Sequence, residues 1–433
     1  MQNDKRTVNR RNLLRTSAAL ATAAMASSWP AAGAAIAAGE PASAGVANKE
    51  LRGIRLTLGR PRVVAESSGK CWYPDLLRFS SGELMLTHSL NEDLSTNAHN
   101  SQAVYISRDE GQSFNFQYDV NGFHNGGGEP RISLPDGRIV GTSTFLRPDG
   151  AGQRRRFKAH HITYDRGGKR YAVEPWGALV SGLPHDVFVY QPNFSRTWWA
   201  RINWFSDIIP LEGGRWISTI SLQVAGDKRE TTVAVISRDE GHNWEYLSTI
   251  AGPDAVPDAE EGVDEPCLVR LADGDLMFIS RVGAGEKQRL ARTYSGDGGR
   301  TWTPIDRLPA YSVAPQVNRL KNGVLALSTG RPGLFLWLST DARGQKWQSV
   351  DILAHHNAMV AAPYQMVHKG IADLNTYQGP AIQTTAYTAL LEIEANRLLL
   401  VYDRMPLGWR TPPAGYPEKS RIYLVEINVQ RVT

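Results

Sequence analysis

One strand–turn–strand pattern occurs six times along this chain, an Asp–Gly turn motif recurs between the copies, and long amphipathic helical periodicity is lacking. Together these predict an all-β chain folded as a six-bladed β-propeller of four-stranded antiparallel blades. The hairpins are YPDLLRFSSGELML (73–86), EPRISLPDGRIVGT (129–142), DIIPLEGGRWISTI (207–220), EPCLVRLADGDLMF (265–278), PQVNRLKNGVLALS (315–328) and YTALLEIEANRLLL (387–400). Each blade alone leaves its faces open to water, and stacking around an axis buries them. A single propeller over residues 55–433 therefore needs no second domain.

The chain ahead of the propeller reads differently. Residues 1–39 hold Lys5, Arg6, Arg10, Arg11 and Arg15 against Asp4 alone, so of the formal charge of +5 only +1 belongs to the remaining 394 residues. Arg10-Arg11 precedes a short Ala-rich apolar run and the small-residue sites Ala32-Gly33-Ala34 and Ala35-Ile36-Ala37, the pattern of a twin-arginine export signal. That run is too short and too poor in Leu and Ile to span a bilayer. The mature protein is expected to be exported, periplasmic or extracellular, with residues 40–54 as a linker. A nearly neutral propeller gives no reason to expect nucleic acid, and Arg154-Arg155-Arg156 with Phe157 and Lys158 reads as a solvated loop.

The turn motif is S-x-D-x-G-x-x-[WF], complete at 107–114 (SRDEGQSF), 237–244 (SRDEGHNW) and 295–302 (SGDGGRTW), and degenerate at 339–347 (STDARGQKW). Its Asp accepts backbone N–H groups in a tight turn, its Gly supplies a positive φ, and its aromatic packs beneath. Asp109, Asp239, Asp297 and Asp341 are therefore read as structural. These are the Asp boxes of the sialidase-type BNR-repeat propellers, and the chain resembles that superfamily from about residue 55 to its end.

The resemblance implies a set of site residues. Glu265 lies nine residues before the turn residue Gly274, where sialidases carry the Glu that activates their nucleophile, and Arg281 lies seven after it, where they carry an arginine of the carboxylate-binding triad. Tyr387, nine before Asn396, matches the nucleophilic Tyr, and Arg331, eight before Ser339, matches another triad arginine. A phenol is a poor nucleophile at neutral pH unless a neighbouring base takes its proton, which Glu265 would do. Arg281 and Arg331 would hold an anionic sugar by bidentate hydrogen bonds.

The departures from the family are informative. Blade one opens with Trp72-Tyr73-Pro74 where sialidases have Arg-Ile-Pro, so Trp72 replaces the first triad arginine. Its indole suits stacking on a sugar face. The family's acid/base Asp falls near LNEDLSTNAHNS, which makes Asp93 the expected general acid and Glu92 the second choice. Tyr73, Glu129 and Arg131 sit at hairpin starts and are expected to line the pocket.

Other groups carry less. His124, His160 and His161 are candidates for a lyase-type base or a metal site, but no two histidines show HExxH-type spacing, so they are read as surface or rim residues and no metal or cofactor is expected. Cys71 and Cys267 fall in blades one and four, too far apart to pair, and are expected as buried free thiols. The sequence thus points to an exo-glycosidase of sialidase type, cleaving a terminal, acidic sugar with retention through Tyr387. A propeller polysaccharide lyase acting on uronates and a non-catalytic carbohydrate-binding propeller are the alternatives. Oligomeric state is left open.

Overall fold

A computed structural model describes residues 46–91, 101–121, 129–189, 201–259, 261–283, 289–367, 383–408 and 413–432. The leader, Glu92, Asp93 and His124 lie outside the described residues.

The described chain is built almost entirely of antiparallel strands in six blades. Blade one comprises Trp72–Arg78, Leu84–Ser89, Ser101–Ser107 and Asn115–Asn121. Blade two comprises Arg131–Ser133, Ile139–Thr142, Phe157–Tyr164 and Tyr171–Ser181. Blade three runs through Ile209–Pro210, Trp216–Gln223, Glu230–Ser237 and Asn243–Ala251. Blades four and five follow the same order, from Asp264–Arg270 to Asp306–Arg307 and from Gln316–Arg319 to Gln348–Asp351.

Blade six takes three strands from the C-terminal end, Thr388–Glu394, Arg397–Arg404 and Ser420–Arg431, and its outer strand from the N-terminal side. Arg62–Ser67 pairs with the first half of Ser420–Arg431. The second half of that strand carries Ile54–Leu58, which in turn pairs with Ala47–Leu51. The sheet therefore begins at Ala47, inside the stretch read as linker. Ser420–Arg431 is twelve residues long, and its free edge has to be covered.

The core confirms the ring, because each large apolar cluster sits between two neighbouring blades. Phe79, Met85 and Val104 of blade one meet Ile139, Ile162 and Tyr164 of blade two. Equivalent clusters join blades two and three, three and four, four and five, five and six, and finally six and one. The last closes through Leu84 and Leu86 against Leu399, Val401 and Leu424. Apolar side chains alternating along both faces of each sheet make this possible.

The turn motifs behave as repeat hardware. In the third copy, Asp297 accepts from Ser295 Oγ at 2.8 Å, Thr301 N at 2.9 Å and Thr301 Oγ1 at 2.6 Å. Asp109 and Asp239 make the same bonds. Each Ser ends the third strand of its blade, away from the innermost strand. Cys71 and Cys267 are free and buried. No helix among the described residues is long and apolar enough to cross a membrane.

Candidate active site

The innermost strands carry the site at their N-terminal ends. The pairs Arg78↔Leu84, Arg270↔Leu276, Arg319↔Leu325 and Glu392↔Leu398 hold equivalent places near the hairpin turns, the last followed by a bulge and Glu394↔Arg397. Five residues back from the first member of each pair stand Tyr73, Glu265, Ala314 and Tyr387. In blade three the hairpin bond from Leu211 N to Arg215 O, equivalent to that from Phe79 N to Glu83 O, places Phe205 at the same level.

Backbone strain concentrates here. Tyr73, Glu265 and Ala314 have φ of 54°, 47° and 33°, Arg331 has 57°, and Ala386, next to Tyr387, has 64°. Non-glycine residues in this region cost about 1–3 kcal/mol each and are held only where the surroundings over-determine them. Here they aim side chains from four blades at one point.

That point is Glu265. Its Oε1 accepts from the Tyr387 hydroxyl at 3.1 Å. Its Oε2 accepts from Arg281 Nη1 at 3.1 Å and from the Ala314 N–H at 2.9 Å. Burial pushes this carboxyl up, but Arg281, the Ala314 N–H and Arg331 together outweigh it and hold Glu265 below its ordinary value. The group is therefore an ionised acceptor facing a phenol. Tyr387 and Glu265 are each 7% exposed.

Arg281 ends the second strand of blade four, and its Nη2 meets Glu261 at 2.7 Å. Glu261 is placed by a close backbone approach. Glu230 N donates to Glu261 O, and Val263 N donates to Glu230 O. A side chain at the intervening Gly262, whose φ is 86°, would lie 2.2 Å from the Glu230 carbonyl, so only glycine fits. Arg331 donates from Nη2 to the Thr385 carbonyl at 2.9 Å, with its guanidinium carbon 5.6 Å from the Tyr387 ring centre.

Beneath Tyr387 lies an aromatic floor. The Tyr73 ring stacks on it at 4.1 Å, the Trp72 ring lies 5.7 Å from both, and Phe205 is 6.5 Å from Tyr73. Trp72 is fully buried and its indole N–H donates to Asn91 O at 2.6 Å. It braces the two tyrosines rather than offering an open face.

Glu129 and Arg131 are placed differently from the others. Arg131 is buried and donates to Glu129, Gln102, Thr87 and Asp75, tying blade two to blade one. The cause is register. The blade-two pair Ser133↔Ile139 lies four residues beyond Glu129, whereas the equivalent pairs lie five beyond Tyr73 and Glu265, so Glu129 is one step out of phase. A one-residue slip turns a strand side chain to the opposite face. Thus the structure brings Tyr387, Glu265, Arg281, Arg331, Trp72 and Tyr73 together, and leaves Glu129 and Arg131 in the blade-one/blade-two interface.

Residues 205–397 match the family described as BNR repeat-like domain. No curated protein matches the sequence. Among solved structures, the chain is similar to a protein of unknown function from Dyadobacter fermentans, with TM-score 0.60 and 16% identity over 88% of this chain and 100% of that one. It is also similar to the α-L-arabinanase of Penicillium chrysogenum complexed with arabinobiose, with TM-score 0.56 and 15% identity over 85% and 98% of the two chains. A Hadza microbial sialidase aligns with TM-score 0.53 and 14% identity over 81% of this chain and 65% of that one.

The fold is that of the sialidase-like BNR-repeat propellers. Within this propeller, sequence reasoning missed Glu261 and Phe205. Phe205 follows from hairpin spacing in blade three. Glu261 has no local signal, because its place depends on the contact of Gly262 with blade three.

Proposed function

We propose that the chain is a retaining exo-glycosidase in which Tyr387 is the nucleophile and Glu265 its base. The observation that carries this is the Tyr387–Glu265 hydrogen bond, made to a carboxylate that its surroundings keep ionised. The Tyr387 oxygen bonds to the anomeric carbon as its proton passes to Glu265. The glycosidic bond breaks with its electron pair going to the leaving oxygen, which takes a proton from a general acid, in this reading Asp93. Water then attacks the anomeric carbon with Asp93 as base. The bond to Tyr387 breaks, and the phenol regains its proton from Glu265. Two displacements give retention.

The sugar is a separate part of the reading. The sequence expectation of an acidic glycone rests on Arg281 and Arg331, yet Arg281 is flanked by Glu261 and Glu265, and Trp72 stands where sialidases keep an arginine. This charge balance favours a neutral glycone, since a carboxylate-bearing sugar would meet Glu261 beside the arginine that should attract it. A panel of fluorogenic neutral and acidic glycosides tests both parts. Turnover of neutral sugars supports the whole reading, and turnover of acidic sugars alone overturns the charge argument. Absence of turnover across the panel overturns the glycosidase, and an unsaturated uronate product identifies the lyase instead. Export by a twin-arginine route belongs to the same proposal, and replacing Arg10 and Arg11 by Lys should hold the protein in the cytoplasm.

A further inference from the structure

A second cluster of chemically capable side chains lies at the seam of blades two and three, remote in sequence from the Tyr387 site. The fourth strand of blade two, Tyr171–Ser181, pairs in parallel with Asn243–Ala251 of blade three. This joins the two blades into one sheet, and three side chains converge there. His161 and Glu174 are direct cross-strand partners in blade two, beside a bulge between Ala159 and His161. Such partners put their side chains on the same face about 5 Å apart. His242 comes from the Asp-box turn of blade three, with its ring stacked on His161 at 4.1 Å between centres. The ligand atoms of all three lie within 4.8 Å of one another.

The hydrogen bonds around the rings fix which nitrogens are available. His161 Nε2 is 3.0 Å from the Glu240 carbonyl, and His242 Nδ1 is 3.0 Å from the Asp239 carbonyl. A carbonyl oxygen only accepts, so both nitrogens carry hydrogen. In the neutral rings His161 Nδ1 and His242 Nε2 are therefore lone-pair donors. Orientation of each imidazole by a backbone carbonyl on its far nitrogen is the usual support of a metal-binding histidine.

His242 Nε2 faces Glu174 Oε2 at 3.4 Å. Where Nε2 carries no proton, two lone pairs face each other and repel unless a metal cation lies between them. The separation is longer than a charge-assisted N–H···O bond of about 2.7–2.9 Å. It matches the spacing of about 3.4 Å between two ligands on a tetrahedral ion with bonds of roughly 2.0–2.1 Å. Glu174 is free to fold back over its own strand because position 177 is glycine, where an added Cβ would lie 2.5 Å from the Glu174 carboxyl carbon.

We propose that His161, Glu174 and His242 bind one divalent late-transition ion of the zinc class, clipping blade two to blade three. Two imidazoles and one carboxylate suit zinc and its neighbours and do not suit the oxygen-seeking ions calcium and magnesium. His161 is 6% exposed and anchors the site. The His242 and Glu174 side chains, 44% and 59% exposed, turn toward it to complete the coordination.

The test uses the tag-free full chain, stripped with a chelator and titrated with Zn2+ by calorimetry and with Co2+ by absorption. Wild type should take up one ion per chain and melt at higher temperature with it. His242→Ala and Glu174→Gln change exposed side chains and leave the core intact. Each should weaken binding by at least the roughly 10–100-fold that loss of a supporting partner costs, and should abolish the thermal shift. Failure of wild type to bind either ion overturns the proposal, as does unchanged uptake in either variant.

Discussion

The hydroxyl of Tyr387 in blade six lies 3.1 Å from Oε1 of Glu265 in blade four, 122 residues away along the chain. Blade five stands between them in sequence, and its Ala314 N–H holds the other oxygen of the same carboxylate. Three consecutive blades thus define one acceptor for one phenol.

Tyr387→Phe should abolish turnover of whichever glycoside the wild type cleaves, while leaving the thermal midpoint close to that of wild type. Glu265→Gln keeps the shape but loses the base, and kcat should fall by about 10²–10⁴-fold. Steady-state kinetics on both variants check this. A Tyr387→Phe variant as active as wild type would disprove the nucleophile.

The pH profile follows from the same pair. Burial favours the protonated form of Glu265, but Arg281, the Ala314 N–H and Arg331 hold its pKa below the ordinary value. Its carboxylate is therefore ionised above the ordinary glutamate value of about 4.3 and is lost only as pH falls below that. An acid limb in kcat/KM that begins near neutrality must come from another group. Removing Glu265 should leave the midpoint of such a limb unmoved in the residual activity.

Glu230 shifts the other way. Burial, with Asp264 adding to it, pushes its carboxyl up to about 8, and Arg201 at 2.9 Å offsets this only in part. The folded state thus holds a proton that the unfolded chain releases near pH 4.3, roughly the ordinary glutamate value. The stabilisation is complete below that value and erodes as pH rises to about 8. Thermal midpoints should decline across this window, and Glu230→Gln should flatten the decline.

Asp297 tests the Asp boxes. Despite some desolvation, bonds from Thr301, Ser295 and Arg300 bring its carboxyl down to about 2. Its contribution to stability is present above the ordinary aspartate range and is lost as pH falls toward 2. Asp297→Ala should cost about 1–2 kcal/mol, as loss of a comparable capping side chain does. Denaturant titration measures this, with catalysis unchanged at low denaturant.

Ring closure is testable by truncation. Removing residues 1–45 should leave a cooperative fold. Removing 1–68 also deletes Arg62–Ser67 and Ile54–Leu58 and strips the outer edge of Ser420–Arg431. That chain should aggregate or unfold at much lower temperature. Equal stability of the two truncations would show that the N-terminal strands do not lock the ring.

The sequence by itself determined the all-β architecture, the blade count and the Asp boxes, because each is a local pattern of alternation and turn chemistry repeated in register. It also singled out Tyr387, Glu265, Arg281 and Arg331, through the resemblance of their identities and offsets to those of sialidase site residues. Only the tertiary structure decided which residues share a face. Glu129 looked equivalent to Glu265, but one residue of register turned it into the blade-one/blade-two interface. Glu261 was invisible because it reaches Arg281 through a backbone contact between blades, and Trp72 became a buried brace because two tyrosines cover it. Periodicity is written along the chain, whereas the direction a side chain takes depends on what packs against it.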